Sequence, residues 1–198
     1  MTLDRFYPIF DRADWLPRML PLGIKLVQLR IKDQPLDVVR ADIRAAMKLC
    51  TKHRCTLIVN DYWDIAIDEG CDFIHLGQED LDTADMPAIA KAGLRVGLST
   101  HDEAELDRAL SFDPTYIALG PVYPTILKQM KWHEQGLARV TEWKKQIGEI
   151  PLVGIGGMSV DRAKGVFNAG ADIVSVVTDI TLNTAPETRL AEWIKVTR

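Results

Sequence analysis

Eight short apolar runs alternate with eight amphipathic stretches along 198 residues, which predicts a single α/β domain, a (β/α)8 barrel over residues 1–198. A second observation points the same way. Glu69-Gly70-Cys71-Asp72 and Ala169-Gly170-Ala171-Asp172 repeat one helix-to-strand turn, as a series of βα units would produce. A helix after every strand implies parallel pairing, and eight such units most naturally close, although this chain is short for a barrel. An open doubly wound sheet is the competing fold, because strand count alone does not require closure.

The expected strands are Tyr7–Phe10, Leu26–Ile31, Thr56–Asn60, Phe73–Leu76, Arg95–Ser99, Tyr116–Gly120, Leu152–Ile155 and Ile173–Val177. The expected helices are Asp14–Leu20, Pro35–His53, Tyr62–Glu69, Met86–Ala92, Asp102–Leu110, Leu137–Ile147, Ser159–Ala169 and Pro186–Val196. Thr100 and Glu103 have the spacing of a capping box at the start of the fifth helix. Gly93 and Gly170 stand where helix C-terminal caps belong. Pro121 to Gln135 breaks the rhythm: it has no clean period, and its Lys128, Lys131 and His133 suit either a mobile, anion-contacting lid or a plain flexible loop.

Composition narrows the function. The chain is 47% hydrophobic and 26% charged with a net charge of -4, so a broad basic surface for nucleic acid is not expected. No run of about 18 apolar residues is present to cross a membrane. The first ten residues carry Asp4 and Arg5 and no signal-peptide core. Three cysteines, an odd number, suggest reduced thiols and a cytoplasmic protein. Cys50, His53 and Cys55 raise a zinc reading, but no paired ligand spacing recurs, and small buried thiols account for them.

The second strand carries the sharpest signal. A side-chain period of two puts Gln28, Arg30 and Lys32 on one face and Val27, Leu29 and Ile31 on the other. Two cations on one face of a strand suit phosphate oxygens, a planar fork of donors beside a compact charge. A solvated face of an edge strand is the plainer alternative.

Catalytic groups in a barrel collect at the C-terminal ends of the strands. Those ends carry Arg30 and Lys32, then Asn60-Asp61, then Gly77-Gln78-Glu79-Asp80, then Ser99, then Thr125 and Lys128, then Gly156-Gly157, then Val177-Thr178. Asp61 and Asp80, on neighbouring strands, suit Mg²⁺ completed by water and substrate phosphates; each Asp could instead cap the helix that follows. Gly154, Gly156 and Gly157 fit a second, monophosphate site near strands seven and eight, or simply a tight turn. His75 could line the barrel mouth but reads better as a hydrogen-bonded core histidine, and His101 as part of a helix cap. The five tryptophans are scattered and explained by packing.

The series QLRIKD, NDYWDIAI, HLGQEDL, GLSTHD, GPVYPT with Lys128, VGIGGM and GADIVSVV resembles thiamine-phosphate synthases in order and spacing, from Tyr7 to about Thr181. The resemblance implies a (β/α)8 enzyme joining a hydroxymethylpyrimidine pyrophosphate to a thiazole phosphate, with thiamine phosphate and pyrophosphate as products. It implies that Gln28, Arg30, Lys32, Asn60, Ser99 and Lys128, within a stretch that includes Leu29 and Ile31, hold the pyrimidine pyrophosphate. Arg30, Lys32, Ser99 and Lys128 would be the catalytic set. Asp61 and Asp80 would bind Mg²⁺. Thr125, Ile126, Leu127, Gly157, Val177 and Thr178 would receive the thiazole phosphate, largely through backbone groups.

Three positions depart from the family pattern: Leu127 for a usual Thr, Thr178 for Ser, and Asp179 for a small residue, which puts a carboxylate near the expected phosphate site. A thiazole tautomerase-like isomerase and a non-catalytic thiamine-phosphate-binding barrel are the alternatives. The partners implied are the two small substrates, and a homo-oligomer is compatible with the sequence.

Overall fold

Residues 2–125 and 133–198 are described by the structure, a computed structural model. Eight parallel strands run in sequence order around a closed barrel: β1 (Phe6–Phe10), β2 (Leu26–Leu29), β3 (Thr56–Asn60), β4 (Phe73–Leu76), β5 (Arg95–Thr100), β6 (Tyr116–Leu119), β7 (Leu152–Ile155) and β8 (Ile173–Val176). Closure is made at β1. Its Phe6, Tyr7 and Pro8 register with Val174, Ser175 and Val176 of β8, and its Ile9 and Phe10 with Gln28 and Leu29 of β2. No sheet edge remains among these strands, so the open doubly wound sheet is excluded.

Alternation along each strand sorts side chains into two layers. Tyr7, Leu26, Ile58, Phe73, Tyr116, Ala118, Val153 and Ile173 fill the barrel interior. Phe6, Phe10, Val27, Leu29, Ile74, Leu98, Ile117 and Val174 pack outward on the helices. Those helices are α1 (Leu16–Met19), α2 (Leu36–His53), α3 (Trp63–Asp68), α4 (Met86–Lys91), α5 (Glu103–Leu110), α6 (Gly136–Ile147), α7 (Val160–Asn168), α8 (Thr178–Thr181) and α9 (Pro186–Thr197). Phe6 stacks on Trp193 of α9 with centroids 5.8 Å apart, and Phe10 on Trp15 at 5.4 Å.

The repeated helix-to-strand turn is real and occurs a third time. Gly70, Gly93 and Gly170 take φ of +70°, +74° and +110°, and the next residue's N–H bonds back to Ala66, Ile89 and Val166 respectively. A residue without a Cβ ends each helix at little steric cost.

Two expectations need correction, and one element was not expected. The first helix is one turn of α-helix between two 3-10 turns, because Pro17 and Pro21 start new turns and supply no N–H to continue the old one. The cap of α5 is shifted: Asp102 accepts from Glu105 N at 2.9 Å, and Glu105 Oε2 accepts from His101 N at 2.8 Å. Thr100 instead ends β5, fully buried, donating to Ala118 O and accepting from Trp143 Nε1. The short α8, between β8 and α9, was not anticipated by the sequence pattern.

Candidate active site at the barrel mouth

A cavity of about 280 Å³ opens at the C-terminal ends of the strands. Gln28, Arg30 and Lys32 all line it, from β2 and the residues just after it, and so do Asn60 and Asp61, Asp80, Ser99, Thr125 and Val177. Period-two alternation carries the first three to one face. The same alternation sends Leu29 and Ile31 outward, each 2% exposed, into the layer beneath the helices, so the structure does not bring their side chains to the cavity. Gly157 and Thr178 flank the cavity without lining it. Ile126, Leu127 and Lys128 lie outside the described residues, as does Lys131.

Arg30 has no carboxylate partner among the described residues, whereas Lys32 Nζ donates to Asp61 Oδ2. Asp61 adopts φ +64°, in the left-handed region, its N–H bonded to His75 O at 3.0 Å. That conformation is sparsely populated by non-glycine residues and concentrates at functional positions. Asp80 opens a 3-10 turn (Asp80–Asp82), and its Oδ2 accepts from Gly77 N at 2.8 Å. Burial raises the Asp80 carboxyl above its ordinary range; the Gly77 amide opposes this, and the nearby Asp61 carboxylate adds to it.

His75 is 8% exposed and lies between the interior and the mouth, with Nδ1 2.7 Å from Tyr116 Oη and Nε2 2.8 Å from Ser99 Oγ. Burial above all, with the Arg30 charge assisting and Asp61 opposing, lowers its pKa to about 4. Burial pushes the Tyr7 and Tyr116 hydroxyls upward. Among the described residues, Ser175 Oγ and Gln78 Oε1 are buried without a hydrogen-bond partner. Ser175 lines the cavity, so a polar ligand group can satisfy it there.

The glycines after β7 answer a packing need. A Cβ on Gly156 would lie 2.6 Å from Pro121 Cα, and one on Gly157 would lie 2.3 Å from Pro124 O. Both residues have positive φ, and Val122 N and Tyr123 N bond to Ile155 O and Gly156 O. This turn and the start of the 121–135 segment are therefore held face to face.

Residues 6–180 match the family model described as thiamine monophosphate synthase. The chain is 58% identical over 197 residues to the thiamine-phosphate synthase of Rhizobium etli, covering 100% of this chain and 97% of that protein. It is 44% identical over 191 residues to the Salmonella typhimurium enzyme of the same name, covering 96% and 87%.

This chain belongs to the thiamine-phosphate synthase family.

The fold agrees. A thiamine phosphate pyrophosphorylase from Pyrococcus furiosus superposes with a TM-score of 0.86 at 23% identity, covering 98% of this chain and 95% of that one. At that identity the likeness speaks for the fold alone.

Within this family member the donor set at the mouth fits Mg²⁺. The Asp61 and Asp80 carboxylates bring hard oxygens to one cavity, and such a pair suits an ion that keeps water and substrate oxygens in its shell. Cys50, Cys55 and Cys71 are all buried, as small core thiols are, and Cys71 Sγ lies 3.5 Å from Met47 Sδ.

Sequence reading missed the depth of the polar wall. Tyr7 and Tyr116 sit on interior positions of β1 and β6, and their hydroxyls meet at 2.9 Å. The available signal was parity, since a tyrosine on the inward face of a strand must find a hydrogen-bond partner inside. Asp179 also differs from expectation. Its Oδ2 accepts from Trp193 Nε1 at 2.7 Å and pairs with Arg189 at 3.3 Å, so its carboxylate faces α9 and is neutralised there.

Proposed function

We propose that the cavity carries out the synthase reaction, joining the pyrimidine pyrophosphate to the thiazole phosphate with Mg²⁺ dependence. One observation carries the reading: Arg30, without a carboxylate partner among the described residues, shares the cavity with Lys32 and the Asp61–Asp80 pair. That is a site for an anion of high charge and the cation that accompanies it.

Arg30 holds pyrophosphate oxygens with its planar fork, and Lys32 adds a point charge. Asp61 and Asp80 would hold the metal, which when bound would supply positive charge to the departing pyrophosphate. The bond between the pyrimidine methylene carbon and the pyrophosphate oxygen breaks, and its electron pair leaves with pyrophosphate. The thiazole nitrogen lone pair forms the new C–N bond. No proton is transferred, which agrees with a mouth that offers cations and hydroxyls and a histidine kept neutral by burial. Gln28 and Asn60, 2% and 5% exposed, orient the pyrimidine, and the Gly156–Val177 side of the cavity receives the thiazole. Holding the two rings together supplies much of the remaining rate.

Three buried, unpaired thiols favour a reducing compartment, the cytoplasm. Among the described residues no helix is long and apolar enough to cross a membrane. The test is mass spectrometry of a mixture of both substrates, enzyme and Mg²⁺. Thiamine phosphate with equimolar pyrophosphate is expected. Binding of both substrates without product would overturn the proposal.

A further inference from the structure

Five polar side chains form an unbroken hydrogen-bond chain from the barrel interior to its mouth. Gln28 Nε2 lies 2.7 Å from Tyr7 Oη, Tyr7 Oη 2.9 Å from Tyr116 Oη, Tyr116 Oη 2.7 Å from His75 Nδ1, and His75 Nε2 2.8 Å from Ser99 Oγ. Tyr7, Gln28, His75 and Tyr116 are 1%, 2%, 8% and 0% exposed, so the chain's own donors and acceptors set its polarity. The arrangement is built in by Gly97. A Cβ there would lie 2.1 Å from Tyr116 Cζ, so only the missing side chain lets the Tyr116 ring lie across β5 beneath His75 and Ser99. Tyr116 and His75 stack, with centroids 5.6 Å apart and planes 13° from parallel.

A neutral imidazole has one donor and one acceptor, so the chain has two polarities. In one, the Gln28 amide donates to Tyr7, Tyr7 to Tyr116, and Tyr116 to His75 Nδ1. The proton of His75 is then on Nε2 and donates to Ser99 Oγ. In the other, with the Gln28 amide turned over, every donor is reversed and Ser99 spends its proton on His75 Nε2. The second polarity turns hydroxyl lone pairs toward a cavity that holds Arg30 and Lys32 and is built for an anion.

We infer that Tyr116 and His75 are positioning residues: Tyr116 fixes His75 as the Nε2–H tautomer, which occupies the Ser99 oxygen and leaves the Ser99 proton for a pyrophosphate oxygen. The inference rests on the pyrophosphate reading of the cavity. Ser99 then acts as a preset donor toward charge that grows as the C–O bond breaks.

Two measurements test it. The chain has four histidines. In a long-range ¹H–¹⁵N correlation spectrum of ¹⁵N-histidine protein without substrate, the His75 signals are those lost in His75→Gln. A protonated Nε2 and a bare Nδ1 are expected; the Nδ1–H tautomer or an imidazolium would overturn the assignment. This readout involves no turnover, so it stands apart from the synthase reading.

Kinetics supplies the second arm. Tyr116→Phe removes the donor to Nδ1 and should lower kcat about tenfold, less than the roughly hundredfold or more that follows outright removal of such a donor, because the Ser99 hydroxyl remains. In a Ser99→Ala background the same change should cost nothing further, because its effect runs through Ser99. Losses that multiply would overturn the inference, and if Tyr116→Phe does not fold, the wild-type spectrum decides. An Nε2–H spectrum in a protein that makes no thiamine phosphate would overturn the role given to the Ser99 proton and, separately, the synthase reading.

Discussion

Lys32 Nζ donates to Asp61 Oδ2, so a cation suited to phosphate and a carboxylate suited to a metal form one ion pair at the barrel mouth. A divalent cation competes with Lys32 for Asp61, and a phosphate competes with Asp61 for Lys32. Binding both together replaces one internal pair with two external ones. Lys32→Ala should therefore tighten Mg²⁺ binding without substrate, by about fivefold for a pair of this exposure, while lowering turnover by about a hundredfold or more. Calorimetric Mg²⁺ titration and steady-state assays check the two halves. Unchanged or weaker metal binding would show that the pair does not guard the metal site.

Gly97 is the position where the interior has no room for a methyl group. Gly97→Ala should destabilise the barrel by roughly 2 kcal/mol or more, a fall in Tm of about 4–8 °C for a domain of this size. Adding Tyr116→Ala should recover part of the overpacking loss, since the clash is with the Tyr116 ring. A scanning-calorimetry series in which the two changes simply add would contradict this packing.

Asp179 anchors α9 through Trp193 and Arg189. Asp179→Ala leaves a buried indole N–H without its acceptor and should cost about 1–3 kcal/mol in denaturant unfolding. The KM for the thiazole phosphate should stay within about twofold of the parent, because the carboxylate faces away from the cavity. A marked fall in that KM would mean the charge does reach the phosphate.

The thiols should be inert in the folded protein. Burial first, with the carboxylates of Asp72 and Glu69 adding, pushes the Cys71 thiol up to about 11, which leaves on the order of one part in a thousand as thiolate at pH 8. Reactivity should rise as pH climbs toward that value. With a thiol reagent at pH 8, native protein should show no rapid reaction, and denatured protein should show all three cysteines. A fast stoichiometric thiol in the native state would refute the burial of this group.

Much of this was legible because βα repetition writes its own punctuation. Strands β3, β4 and β7 begin and end where the apolar runs do, and the Gly-Asp turns mark where α3 and α7 stop. The face of Gln28, Arg30 and Lys32 followed from a period of two. What was hidden depended on contacts between distant segments. Closure rests on β1 pairing with β8, whose residues are more than 160 positions apart. The paired tyrosines, the shifted α5 cap and the orientation of Asp179 each depend on a neighbour that local pattern does not specify. Asp179 is the clearest case, since its spacing from Thr178 suggests a phosphate-side charge and only the packing of Trp193 and Arg189 turns it away.

Turnover as a function of Mg²⁺ concentration, in parent protein and in Asp80→Asn, decides whether the Asp61–Asp80 pair holds the metal. No thiamine phosphate is expected in the presence of a chelator, and the parent should show saturable activation by Mg²⁺. In Asp80→Asn the activation curve should move to at least about tenfold higher metal concentration. Full turnover in chelator, or an unchanged activation curve in Asp80→Asn, would contradict the assignment of the Asp61–Asp80 pair to the metal.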